Sequence, residues 1–442
     1  MRKKSELQNL VFLGEKTSWK NEIPSEVYLI MEKLNNAGFV AFLVGGCIRD
    51  LLLNRKVNDW DILTDANINQ IIAVFNQFRV FLLGKKKITA TIILQKKIIQ
   101  LTTMKIKQNQ EQYLPGNVFA REKELLPALK KNLASRDFTI NALAWSQKIG
   151  LYDPCCGLKD LKQKKITSTD SFKRLQEDPL RMLRAIRIAC ELGFKIDLQL
   201  QKNIIKNSFL IQFVSVERIR YEIYKIFSSI NLEMGIYFLN VLNLEKNIFT
   251  LDRFKKTIIT DYGVDKLSFK DIKEDLSAQL AFWGRIRFGS CSLARIFYFP
   301  AIDHLKFQKK ILQEVKLLLS REWEQIEFDS PVKIRFLLAR FGENNCRRLL
   351  ILKKNLLLKS KKYGKENYKK EKILLEEEII KKHPLNLADL DITGVDLIQM
   401  GICEGEEIGK ILRILLQEVL VNPAINKKNK LKKIIKIYRN YN

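Results

Sequence analysis

The 442 residues predict an α+β chain: a small mixed sheet with interleaved helices, to about residue 160, followed by an all-helical remainder. Two observations lead there. Before residue 160, β-branched and aromatic runs such as "VAFLVGG", "DWDIL" and "KITATIILQKKIIQLTTMK" alternate with segments whose apolar residues recur at helical spacing. From "EDPLRMLRAIRIACELGF" onward nearly every segment carries the helical period, including "VERIRYEIYKIFSSI", "VKIRFLLARF" and "IGKILRILLQEVL".

Taken in order, "MRKKSELQNLVFLGEKTSWK" starts basic, but its apolar run is too quickly interrupted for a signal peptide, and no later stretch is long enough to span a bilayer. The expectation is a cytoplasmic protein with no membrane partner. "SEVYLIMEKLNNAGF" predicts a helix stopping at Gly38, and "VAFLVGG" a strand running into Gly45 and Gly46. "CIRDLLLN" returns to helix, "DWDIL" to strand, and "KITATIIL" pairs with "IIQLTTMK" through the turn "QKK". Further on, Pro179 suits a first helical turn, which would set Asp178 and Arg181 on one face. The lysine-rich "KKNLLLKSKKYGKENYKKEKILLEEE" reads as a solvated helix, and there is no tandem repeat.

Composition narrows the chemistry. Lys and Arg number 78 against 49 Asp and Glu, a net charge of +29, which attracts a polyanion at long range and nominates nucleic acid. Seven cysteines without a CxxC pair fit neither a disulfide framework nor a zinc site. His304 and His383 are the only histidines, which argues against a histidine-rich metal centre and a Ser/His/Asp triad. A bound metal must then rest on carboxylates, whose oxygen ligands select magnesium or manganese.

In "VNDWDILTDA", strand alternation puts Asp59 and Asp61 on one face, with Trp60 and Ile62 turned into a core. Two adjacent carboxylates repel unless cations sit between them, and two divalent ions are the usual answer in phosphoryl and nucleotidyl transfer. Upstream, the Gly45–Gly46 turn before a helix offers backbone N–H groups to an anion, with Arg49 in reach of a phosphate.

These residues carry a family resemblance. "AFLVGGCIRDLLLNRKVNDWDILTDA" resembles the catalytic motif of DNA polymerase β-like nucleotidyltransferases, in particular the class II tRNA nucleotidyltransferases (CCA-adding enzymes) and the related bacterial poly(A) polymerases. The resemblance implies that Asp59 and Asp61 hold two magnesium ions, with manganese as a substitute, and that Gly45, Gly46 and Arg49 hold the triphosphate. "ASRDFTINALAW" is similar to the ribose-reading motif, with Arg136 and Asp137 at its functional positions; "LYDPCCGLKDL" is similar to the hinge between head and neck, matched at Asp153, Gly157 and Asp160. "VSVERIRYEI" resembles a neck motif whose Glu217 and Arg218 brace the active site. The implied division is a nucleotidyltransferase head at 1–160, a base-recognising neck at 161–230, a body at 231–345 and a tRNA-binding tail at 346–442.

Asp178 and Arg181 complement an exocyclic amine beside a ring acceptor, the edge shared by cytosine and adenine; guanine and uracil present the reverse. The family uses the matching pair for that choice, and Arg184 is placed in the same nucleotide site, with a structural or RNA-facing role as its alternative. The sequence departs from the family at Gln100, where a third acid is usual, and at Lys105, Asn132 and Ser135. The expected activity is template-independent addition of CCA to tRNA from CTP and ATP, by a monomer or homodimer. "LGKKKITATIIL" lacks the basic-aromatic run of the poly(A) branch, the C-terminal segment with Gly394 and Gly409 is similar to CCA-adding tails, and the region 105–131 matches a loop linked to the switch from C to A. The alternatives are a poly(A) polymerase, a CC-only or A-only enzyme, and a non-catalytic RNA-binding protein.

Overall fold

A computed structural model describes residues 10–11, 18–83, 89–104, 118–249, 269–357, 363–402 and 405–441. Lys105, the first part of the 105–131 region and part of "LGKKKITATIIL" lie outside these. The chain divides into two compact units, Met1–Val214 with Phe238–Leu244, and Ser215–Tyr237 with Glu245–Asn442.

The first unit is built on one sheet of eight strands: β1 (Leu10–Val11), β2 (Ala41–Val44), β3 (Asp59–Thr64), β4 (Val80–Leu83), β5 (Thr89–Leu94), β6 (Lys97–Thr103), β7 (Ala144–Ser146) and β8 (Gly150–Tyr152). Their order is β1-β8-β7-β2-β3-β6-β5-β4, with β3 and β6 parallel and every other pair antiparallel. The "QKK" turn closes β5 onto β6 with Gln95 and Lys96 both at positive φ, the twist a two-residue hairpin favours. Neither β4 nor the β7–β8 hairpin was expected from the sequence, because strands of three or four residues are too short to display a period of two.

Helices α1 (Ser25–Asn36), α2 (Gly46–Leu52) and α3 (Ile68–Val74) follow the early strands. α1 buries Val27, Ile30, Met31 and Leu34 at spacings of three and four, and ends before Gly38 at φ 81°. α3 opens with a capping box in which Asn67 accepts from the Gln70 N–H and the Gln70 side chain accepts from the Asn67 N–H. α4 (Val118–Glu124) and α5 (Leu126–Ala134) close part of the face carrying Phe42 and Leu63, in a core with Val118, Leu125, Leu129 and Leu133. Two bonds pin α4: Arg121 Nε donates to Asp65 at 3.1 Å, and Glu122 accepts from Ser146 Oγ at 3.0 Å. Burial pushes the Glu122 carboxyl up to about 7.

Then come α6 (Gly157–Lys162), α7 (Ser171–Glu177), α8 (Arg181–Leu192) and α9 (Leu198–Asn207). Two expectations change here. α8 begins at Arg181 rather than Pro179, and Asp178 terminates α7 in an extended conformation, so the two residues flank a junction instead of sharing a helix face. A parallel ribbon of β9 (Lys165–Ile166) and β10 (Lys195–Ile196) also interrupts the region expected to be wholly helical.

The described part of the second unit is helical. α10 (Val216–Phe227) and α11 (Leu276–Phe288) meet in an aromatic core in which Trp283 packs against Phe227, Phe249 and Tyr298 at centroid distances of 5.2, 5.0 and 5.6 Å. α12 (Pro331–Leu357), kinked at Gly342, α13 (Lys365–Ile380), α14 (Gly394–Gln399), α15 (Glu406–Val421) and α16 (Lys428–Tyr441) follow. Arg335 on α12 ties three of them together: it pairs with Glu378 of α13 at 2.7 Å and donates to the carbonyls of Leu420 and Val421 on α15. Among the described residues no helix is long and apolar enough to cross a membrane.

Candidate active site

The candidate site lies in the first unit, where β2 gives way to α2. Strand alternation leaves Asp59 exposed and Asp61 partly so on one face of β3, while Trp60 and Ile62 are buried on the other. Gly45 caps α2 at φ 91°, and a Cβ there would collide with Nη1 of Arg136 and lie 3.3 Å from Asp61 Oδ2. Only glycine lets the guanidinium of Arg136 and the carboxylate of Asp61 converge over this turn. The Gly45 N–H is not offered to a ligand; it donates to the Leu143 carbonyl at 3.2 Å, so a phosphate would meet N–H groups from Gly46 onward.

Two arginines flank this turn. Arg49, expected on a phosphate, forks onto its neighbour Asp50 at 3.0 and 2.8 Å and donates to Asn141 at 2.8 Å. Arg136 stands beside the Asp61 carboxylate, and its Nε is buried without a hydrogen-bond partner among the described residues, the kind of orphan donor a bound anion satisfies. Cys47 lies under the same turn, where burial, with the nearby Asp61 charge, pushes its thiol up to about 12 and keeps it neutral.

Asn141, which sequence reasoning missed, links two motifs. It accepts from Arg49 and donates to Asp137 at 3.1 Å; Asp137 also accepts from the Phe138 N–H and from Nε and Nη2 of Arg184 at 2.9 and 2.6 Å. Burial alone would raise the Asp137 pKa, but the Arg184 charge and these hydrogen bonds outweigh it and hold the carboxyl below the usual range. A continuous polar chain therefore runs Asp50–Arg49–Asn141–Asp137–Arg184, tying α2 to the "RDFTIN" segment and to α8. The signal for Asn141 was its place four residues after Asp137 in that segment.

The hinge residues supply the support beneath. Asp153 accepts from the N–H groups of Gly157 and Leu158 and so caps α6; Gly157 packs so closely on the Thr139 carbonyl that a Cβ could not fit; Asp160 accepts from Thr139 Oγ1 at 2.5 Å. Asp178 accepts from the Leu180 N–H, and Arg181 donates to the Arg174 and Ser135 carbonyls at 3.0 and 3.4 Å, with Glu177 3.5 Å away. Glu217 and Arg218 belong to the second unit, where Glu217 pairs with Lys306 at 3.4 Å on an exposed surface.

The carboxylate pair suits a hard divalent cation. Its donors are oxygens on one strand face, and the partner of Asp61 on the parallel strand β6 is Gln100, a neutral amide, so a third acid does not join it. Among the described residues no group of three or more Asp, Glu, His or Cys is placed to hold a metal by itself.

A family model described as the poly A polymerase head domain matches residues 41–167, and a second, described as a probable RNA and SrmB-binding site of polymerase A, matches 193–249. A CCA-adding enzyme of Bacillus velezensis is 27% identical over 405 residues, 91% of this chain and 95% of that protein. A CC-adding tRNA nucleotidyltransferase of Shouchella clausii is 36% identical over 214 residues, about half of each protein. In fold, the chain is similar to the Bacillus stearothermophilus CCA-adding enzyme solved with CTP, at a TM-score of 0.71 and 21% identity over 94% of this chain and 98% of that one. A Thermotoga maritima CCA-adding enzyme solved with tRNA gives 0.64 and 20% over 95% and 97%.

Proposed function

The chain belongs to the family of class II CCA-adding enzymes and poly(A) polymerases, and from that premise we propose that it adds CCA to the 3′ end of tRNA, drawing on CTP and ATP and releasing pyrophosphate. The observation that carries the reading is the convergence of Asp61 and Arg136 at Gly45, with Asp59 beside Asp61 on the same face of β3. Enzymes of this family use divalent metal ions. Our reading is two magnesium ions held by Asp59 and Asp61, which when bound neutralise the triphosphate and make the RNA hydroxyl a better nucleophile.

The protein's own groups do the rest by position and charge. Arg136 and the backbone beyond Gly45 hold the triphosphate, fixing the α-phosphate in line with the incoming 3′-hydroxyl. The bond formed is from that hydroxyl oxygen to the α-phosphorus, and the bond broken is to the departing pyrophosphate. Asp137, kept ionised, holds Arg184 toward the nucleotide, and Arg49, which stiffens the turn through Asn141, is assigned to the triphosphate as well. Asp178 and Arg181 are assigned to the base edge of C and A, and Asp153, Glu217 and Arg218 to bracing. The division into head, neck, body and tail at residues 160, 230 and 345 is part of this reading.

The test is incubation with magnesium and labelled CTP or ATP on tRNA transcripts ending before CCA, after CC and after CCA, with products resolved at single-nucleotide length. Addition of C, C and A followed by arrest is the expected result; unlimited A tails or arrest after CC would replace it with a poly(A) or CC-only enzyme. Asp61→Asn is expected to lower addition at least about a thousandfold while tRNA affinity stays within about twofold.

A further inference from the structure

Beyond the carboxylates, the sheet face that bears them is covered by α4 and α5 at Leu63 but exposed toward its outer edge among the described residues. Residues paired across a sheet share a face, so the registers extend rows of side chains outward from β3. Asp61 leads through Gln100 and Thr91 to Phe81 on the edge strand β4, Asp59 leads through Ile98 to Ile93, and Leu63 leads through Thr102 and Thr89 to Leu83. The opposite face of the two inner strands is core, with Ala90, Ile92, Ile99 and Leu101 fully buried. On the carboxylate face Leu63 and Thr91 are buried, but Ile98 is 38% exposed, Ile93 54%, Phe81 42% and Leu83 57%. Arg79 places its guanidinium 5.9 Å from the centroid of the Phe81 ring.

An exposed sheet face carrying an aromatic ring, aliphatic side chains and an arginine has the chemistry of a platform for single-stranded nucleic acid: bases stack on the ring and the guanidinium meets a phosphate. We propose that this open face, with Phe81 and Arg79 foremost, seats the last unpaired nucleotides of the RNA substrate on their way to Asp59 and Asp61. Three strand spacings of about 4.8 Å separate Asp61 from Phe81, and at about 3.4 Å per stacked nucleotide that distance accommodates about four nucleotides. Continuity with the carboxylate pair and the positive charge of Arg79 favour RNA over a second copy of the chain as the occupant. The inference rests on the nucleotidyl-transfer reading and adds to it where the RNA end lies.

The test uses the full chain and two fluorescently labelled tRNA transcripts, one ending before CCA and one after CC, with affinities read by anisotropy. The wild-type protein is expected to bind the CC-ended transcript more tightly. Phe81→Ala should weaken that complex between about fivefold and about a hundredfold, leave the shorter transcript unaffected, and be rescued by Phe81→Trp. In turnover the same loss appears in the KM for RNA and not in the KM for CTP. Equal affinity of the wild-type protein for both transcripts, or a Phe81→Ala protein that keeps the preference, overturns the platform. So does a change in self-association on sedimentation with RNA affinity intact, which would make the face an interface between copies. Failure of the wild-type protein to incorporate any nucleotide removes the parent reading and the platform with it, whereas incorporation with unaltered Phe81→Ala affinity removes the platform alone.

Discussion

At the scale of single residues, Gly45 and Glu122 make opposite demands on their surroundings. Gly45→Ala forces a side chain into a positive-φ position already filled by Arg136, so it should cost about 1–3 kcal/mol of stability and displace the guanidinium, with nucleotide addition falling more than about tenfold. Chemical denaturation and turnover on one preparation check both halves. Glu122 is held protonated up to about 7, well above the value near 4.5 expected once unfolded. The folded chain thus binds the extra proton between those values; the stability it contributes is complete below the lower one and is lost as pH rises through about 7. Glu122→Gln should flatten that decline, narrowing the difference between pH 5 and pH 8 by up to about 3 kcal/mol, as read from denaturant midpoints at the two pH values. The acids at 59 and 61 were legible because their chemistry needs only strand alternation. The partners of Arg49 were not: Asn141 is close only after the chain has folded back on itself.

At the scale of elements, the parallel pairing of β3 with β6 fixes what stands beside Asp61. Gln100 is its register partner, so Gln100→Glu places a third carboxylate on the same face. The expected outcome is a lower magnesium concentration for half-maximal activity, together with a loss of less than about 1 kcal/mol of stability from like charges side by side. A magnesium titration of initial rates checks it, and an unchanged midpoint would mean that position 100 does not face the ion. The β3 and β5–β6 strands were readable from their alternation and turn residues, and α1 from its apolar stripe. The start of α8 was misplaced because proline at a first helical turn is only a preference, and here Pro179 and Leu180 form the junction that follows Asp178.

At the scale of the whole molecule, a net charge of +29 sets how the protein meets its substrate. If the complex makes six or more phosphate contacts, tRNA affinity should fall at least about a thousandfold between 50 and 200 mM salt, measured as a linear plot of log affinity against log salt. Charge and the order of sheet and helix were plain in the sequence. The division into two compact units was not, because compactness is a property of contacts between distant segments, which periodicity does not report. One feature of the sheet also bears on the protein's synthesis. β2 takes β7 as its neighbour, and the Gly45 N–H takes its acceptor from Leu143, so the turn beside the carboxylates lacks its anchor until the segment through Ala144 has left the ribosome. A nascent chain that already displays Asp59 and Asp61 therefore still lacks both the strand and the acceptor that hold the turn beside them.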